Sequence, residues 1–262
     1  MPESSFKVTE ELVTAEAWVR LEGVVHGFST RRTTRERFFA RVLEARGLQP
    51  VLVRQLHSDR TRAFDRVPQR LLEADALITA TPGLALVVKT ADCPPVLLFD
   101  PKSRSVGAVH ARWRSTLRRL TQKTVGMMRA CYDADPQRMR AVIGPSILKC
   151  CYQVGEEVLD AFRSQFTYAE ELFSPPQPQN PAQIRLPRQV SLLHLGPRHR
   201  ATVRTHLDLQ EANRRQLLQA GLKPQHITVG SLCTACRSDL FHSYRRDGRR
   251  AGRLYAAVGL AP

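Results

Sequence analysis

Leu84-Ala85-Leu86-Val87-Val88-Lys89-Thr90-Ala91-Asp92-Cys93-Pro94-Pro95-Val96-Leu97-Leu98-Phe99 decides how this chain folds. Leu84 to Thr90 opens with consecutive rather than alternating apolar residues, so a strand built from it shows apolar side chains on both faces. Such a strand belongs in the middle of a sheet covered on both sides. Val96 to Phe99 reads the same way, and Cys93 stands just beyond the first run.

Outward from this stretch, short apolar or alternating runs predict further strands at Ala76 to Thr79, Val106 to His110, Ala141 to Gly144, Ile227 to Leu232 and Leu254 to Leu260. Apolar residues three or four apart predict four helices. The first runs from Thr33 or Thr34 to about Ala45, with Phe38, Phe39, Val42 and Leu43 inward and Gly47 ending it. The second starts at Ser115 or Thr116 and buries Leu117, Leu120, Met127, Met128 and Cys131. A third uses Val158, Leu159, Phe162 and Phe166. The fourth opens on Asp208 and Glu211 in capping-box spacing and stops at Gly221. Strands and helices intermix without strict alternation, which predicts an α+β class with mixed sheets flanked by helices.

The 262 residues, 42% hydrophobic and 24% charged, are enough for a real core and are expected to form a single domain over 1–262. Ser174 to Gln189, with five prolines, reads as an exposed surface loop within it. No 20- to 50-residue repeat and no Gly-rich phosphate loop is visible. Met1 to Glu11 lacks a basic start followed by an apolar stretch, and no apolar run is long enough to span a bilayer, so a cytoplasmic chain with no membrane association is expected. Six cysteines in a chain this long read as reduced thiols. The formal charge of +16 would attract polyanions, but the basic residues are scattered from Lys7 to Arg253 rather than gathered into a nucleic-acid arm.

Three polar groups stand at or beyond the ends of apolar runs: His57 after Val51-Leu52-Val53, Cys93, and His110 after Val106 to Val109. Two imidazoles and a thiolate suit Zn²⁺ with a fourth position open, the arrangement of a catalytic site. Their intervals of 36 and 17 residues match no local metal motif, and a buried thiol with satisfied histidines is the simpler reading of spacing alone. Arg112 and Arg114 beside His110 also leave room for a metal-free cysteine nucleophile with a histidine base. The helix start at Ser115 and Thr116, next to Arg114, offers an anion site. Asp247-Gly248, after Arg245 and Arg246, reads as a turn. Cys233 and Cys236 form a lone CxxC, taken as buried or incidental.

Taken together, His26-Gly27-Phe28-Ser29-Thr30-Arg31, Gln55-Leu56-His57-Ser58, Asp75-Ala76-Leu77-Ile78-Thr79, Thr90-Ala91-Asp92-Cys93-Pro94-Pro95-Val96, Val109-His110-Ala111-Arg112-Trp113-Arg114, Ile143-Gly144-Pro145-Ser146-Ile147, Cys233-Thr234 and Ser243-Tyr244-Arg245-Arg246-Asp247-Gly248 resemble, in order, the YfiH or laccase-domain family. The resemblance implies one domain in α/β/β/α layers and a zinc ion on His57, Cys93 and His110. It implies a purine nucleoside enzyme, combining phosphorolysis of adenosine, inosine, guanosine and methylthioadenosine with adenosine deamination. Its partners would then be small molecules, a nucleoside and phosphate. Other members look like peptidoglycan editors acting on UDP-muramyl precursors, which is the alternative, and a non-catalytic nucleic-acid binder is a third reading. By motif position, Arg31, Gln55 and Asp75 are substrate or supporting groups, and Arg114, the Thr116 helix end or Arg245 would hold phosphate. Copper is less expected than zinc, because none of the eight histidines forms a His-X-His pair. The chain departs from the family at Arg32-Thr33-Thr34-Arg35, where members carry a Gly-Gly pair, and at Arg112 and Ser115, which replace glycines beside His110.

Overall fold

The computed structural model describes residues 5–175 and 205–262. Most of the Pro-rich stretch expected at 174–189 therefore lies outside the described residues. Two six-stranded sheets face each other. The first orders its strands Phe6–Val8, Leu12–Ala15, Val24–Ser29, Leu254–Leu260, Leu84–Thr90, Gln49–Val51. The second runs Ile227–Val229, Arg140–Ile143, Pro95–Asp100, Ser105–His110, Ala76–Thr79, Thr61–Ala63. Both are mixed. Leu84–Thr90 pairs antiparallel with Leu254–Leu260 and parallel with Gln49–Val51, while Pro95–Asp100 is antiparallel to both its neighbours.

The unbroken apolar run that opened the chain's reading is divided between two cores by the period-two alternation of a strand. Leu84, Leu86 and Val88 point inward and meet Leu77, Leu97, Phe99, Val106 and Ala108 of the opposite sheet. Ala85 and Val87 point outward under Phe38, Phe39 and Val42 of helix Arg35–Val42. On the far side, Ile78, Val96, Leu98 and Val109 are covered by Leu120, Val125 and Met128 of helix Leu120–Tyr132 and by Leu217 of helix Leu209–Gln219. Helix, sheet, sheet and helix thus form four layers, the α+β arrangement expected. Helix Glu156–Arg163 packs Val158 and Phe162 against a small third sheet of Gln153–Val154, Thr205–Leu207 and Phe173–Ser174. Among the described residues, no helix is long and apolar enough to cross a membrane.

Local signals acted where they were read. Thr34 caps its helix by accepting from the Arg37 N–H, Gly47 ends the following turn at φ 70°, and Asp208 accepts from the Glu211 N–H. The strand expected over Ile227 to Leu232 stops at Val229, the one expected over Ala141 to Gly144 runs Arg140–Ile143, and one helix is broken. The helix expected from Ser115 or Thr116 begins at Trp113, ends at Leu117, and is followed by Leu120–Tyr132, with Arg119 left-handed at φ 60° between them. Cys131, expected to be buried, is exposed on helix Leu120–Tyr132. The Asp247-Gly248 turn is preceded by a helical turn, Tyr244–Asp247, capped by Ser243. Gly144 is obligatory for packing: a Cβ there would lie 2.2 Å from the Phe28 ring.

Candidate functional site

Cys93 and His110 stand at one end of the second sheet, where Pro95 pairs with His110 and the His110 N–H donates to the Asp75 carbonyl. Asp75 is fully buried. Its Oδ1 takes the His110 Nδ1–H at 3.1 Å, while its Oδ2 accepts from the Leu56 and Ser58 N–H groups and the Ser58 hydroxyl at 3.2, 2.5 and 2.8 Å. One carboxylate therefore fixes the imidazole of His110 and the loop that carries His57. Burial alone would raise the Asp75 pKa, but the hydrogen bonds from His110 and Ser58 hold it below the usual carboxylate value.

With Nδ1 bound to Asp75, the Nε2 edge of His110 is turned to Cys93. Burial would lower the His110 pKa, yet the negative sulfur of Cys93 and the hydrogen bonds to Asp75 and Cys93 raise it to about 9. His57 lies over His110, ring centroids 5.5 Å apart, on a backbone at φ 61°. Its Nδ1 accepts from Arg112 Nη1 at 2.7 Å. Partial burial, then the charges of Arg112 and His110, lower its pKa.

The two departures from the family pattern separate. Ser115 is buried and its hydroxyl accepts from the Arg112 N–H at 2.9 Å, capping the helix from inside, so it stays out of the site. Arg112 reaches into the site.

The remaining sequence-predicted residues scatter. Thr116 is fully buried, its N–H donates to the Arg112 carbonyl and its hydroxyl accepts from Asn213, because the helix starts at Trp113, two or three residues earlier than expected. It presents nothing to an anion. Gln55 spends both ends of its amide on the Lys89 backbone, each at 2.8 Å, pinning the His57 loop to the first sheet. Arg31 is tied to the Ser238 and Leu240 carbonyls. Arg114 is exposed, with its guanidinium 4.2 Å over the Trp113 ring. Arg245 donates to the Cys151 and Gln153 carbonyls and covers the Tyr152 ring.

Three participants were missed. Asp92, left-handed at φ 88°, accepts from the Thr234 hydroxyl at 2.7 Å and the Arg245 N–H at 2.6 Å, setting the turn that presents Cys93. Tyr152 feels the charges of Cys93, Arg245 and Arg112, after burial the causes acting on its raised pKa. The vicinal Cys150 and Cys151 meet Cys233 and Cys236, so the CxxC has the second pair it lacked. Among the described residues, the metal-ligating atoms that all lie within 4.8 Å of one another belong to these four cysteines, which could bind a metal. The signal was available as Cys-Cys and Cys-x-x-Cys, but more than eighty residues separate them.

The family model described as multi-copper polyphenol oxidoreductase laccase matches residues 30–261. A purine nucleoside phosphorylase of Deinococcus radiodurans is 38% identical over 191 residues, 72% of this chain and 62% of that protein's own length. The chain thus spans about six tenths of this relative. Adenosine deaminase RL5, from an unknown prokaryotic organism, is 32% identical over 217 residues, 79% of this chain and 74% of that one. The crystal structure of the Bacillus licheniformis hypothetical protein YfiH has a TM-score of 0.77 at 28% identity, with 98% of this chain and 100% of that chain covered.

Proposed function

Because the chain belongs to the family described as multi-copper polyphenol oxidoreductase laccase, we propose that it is a zinc-dependent purine nucleoside enzyme, acting by phosphorolysis and by adenosine deamination. The observation that carries the reading is the buried Asp75–His110 pair set against the partly buried Cys93, beside His57. A carboxylate that orients an imidazole through Nδ1 is the usual support of a metal-ligating histidine. Two imidazoles and a thiolate are the donor set of a three-ligand zinc site, and Cys93 lies against His110 with His57 above it, which supports a zinc ion on His57, Cys93 and His110 once Arg112 releases His57. When bound, zinc with three protein ligands supplies a Lewis acid with an open position and brings water near neutrality into nucleophilic form.

The chain's own groups do the rest. Asp75 keeps His110 in one tautomer and, through Ser58, keeps the His57 loop in place. Gln55 holds the same loop from the other side. Arg114, whose charge acts on His57, and Arg245, beside Tyr152, would supply the guanidiniums that meet a phosphate. In deamination water replaces the 6-amino group of adenosine, giving inosine and ammonia. In phosphorolysis phosphate displaces the base from the sugar, giving free base and ribose 1-phosphate.

The test is product analysis by chromatography after incubation with adenosine plus phosphate, inosine plus phosphate, and UDP-muramyl-serine. Inosine or free base is the expected product. Their absence, with serine released from the muramyl precursor, would replace this reading with the editing hydrolase.

A further inference from the structure

We propose that Cys150, Cys151, Cys233 and Cys236 form a second, closed zinc site whose role is to tie the 146–151 and 232–236 loops together behind Cys93. The four sulfurs all lie within 4.8 Å of one another, with Cys150–Cys151 at 3.7 Å, Cys150–Cys236 at 3.7 Å and Cys151–Cys236 at 3.3 Å. Zinc–sulfur bonds of about 2.3 Å in a tetrahedron put the sulfurs about 3.8 Å apart. The spacing is that of a tetrathiolate, and well beyond the roughly 2.05 Å of a disulfide.

The surroundings suit thiolate ligands. Cys233 is buried, and its sulfur accepts from the Leu148 N–H at 3.5 Å and from the backbone N–H groups of Ala235 and Cys236. N–H donors wrapped around the first sulfur of a CxxC are what a negative sulfur needs. A disulfide within the group would consume two sulfurs and leave the other two converging on nothing. Each thiol that binds zinc releases its proton to solvent, so the filled site carries the ion's two charges against four thiolates. Arg245, with Nη1 on the Cys151 carbonyl at 3.4 Å, lies against the resulting negative charge. Four protein ligands leave no open position, which makes the site structural.

Its place in the fold gives it work. Ser146 bridges to Cys233, the Thr234 N–H donates to the Ser146 carbonyl, and the Thr234 hydroxyl reaches Asp92 beside Cys93. The Ile147 N–H donates to the Asp92 carbonyl at 2.8 Å. The ion would clamp the two loops that together hold the Asp92–Cys93 turn.

The experiment is metal analysis and visible spectroscopy of the whole protein, purified without chelator and, in parallel, expressed with cobalt in place of zinc. Wild type is expected to carry one zinc per chain more than Cys236→Ser or Cys150→Ser, both exposed positions. Cys131→Ser, outside the cluster, should match wild type. Cys93→Ala should keep the cluster's zinc, so failure of this site and failure of the His57–Cys93–His110 reading are separable. Cobalt protein should show the intense red-region bands of a tetrahedral four-thiolate ion, retained in Cys93→Ala. If either variant does not fold, the wild-type cobalt spectrum decides. Equal zinc in wild type and a folded Cys236→Ser, iron as the bound metal, a disulfide among the four in freshly purified protein, or no four-thiolate spectrum overturns the proposal.

Discussion

Arg112→Gly should tighten zinc at the His57–Cys93–His110 position. A neutral imidazole has one protonated and one lone-pair nitrogen. Because Arg112 donates to His57 Nδ1 at 2.7 Å, the ring's lone pair is engaged and its proton sits on Nε2. His57 can then ligate a cation only after Arg112 lets go. Hydrogen bonds to charged groups contribute about 1.5–3 kcal/mol, and exposure of the pair puts this one at or below the low end. About 1.4 kcal/mol is a factor of about ten in affinity. The substitution is otherwise quiet. Arg112 sits at φ −81°, ψ 161°, which glycine adopts freely, and the Ser115 cap is made to the backbone N–H, which survives. Chelator competition on wild type and Arg112→Gly, with the class of zinc missing from Cys93→Ala taken as the site, should give an approximately tenfold lower Kd in the variant. An unchanged or weaker Kd refutes the idea that this arginine competes with the metal.

Asp75→Asn should cut metal affinity or turnover by about 10- to 100-fold, since the amide cannot accept from His110 and Ser58 as the carboxylate does; wild-type kinetics in the variant would reject the positioning role. Gly144→Ala should destabilise the fold by about 1–3 kcal/mol through overpacking against Phe28, read as a lower denaturant midpoint; an unchanged midpoint would show that the ring yields freely. His26 is buried, accepts from the Ala15 N–H at 2.9 Å, and has a pKa that burial lowers to about 4. Its folded pKa lies below its unfolded value, so its stabilisation is present above about pH 6.5 and is lost as pH falls toward 4. Between pH 7 and pH 5 that loss is about 2 kcal/mol. Denaturation of wild type against His26→Gln at the two pH values should show that difference, and parallel pH responses would contradict it.

The parts legible in the sequence are those where one signal dominates. Leu84–Thr90, Ala76–Thr79 and Leu254–Leu260 appear with their expected ends because apolar residues dominate each run. Val24–Ser29 was readable as a motif but not as a strand, since the buried imidazole of His26 and the bare Gly27 interrupt any periodicity. Gln49–Val51 and Phe6–Val8, three residues each, are too short to show a period. The break at Arg118–Arg119 carries neither glycine nor proline to announce it. At the site, Asp75 was picked out by its motif, but its double duty to His110 and Ser58 is a property of two strands and a loop meeting. Likewise, nothing local states that Arg112 turns to His57 while Ser115 turns inward, or that Cys150 and Cys236 will touch.

The small third sheet has a practical meaning. Phe173 pairs with Leu207 and Ser174 with His206, so the chain leaves and re-enters the described structure at adjacent, hydrogen-bonded points. Whatever joins two such points can be lengthened or shortened at an entropic cost that grows only with the logarithm of its length. A segment carried between Ser174 and Thr205 therefore has both its ends anchored side by side, next to helix Glu156–Arg163.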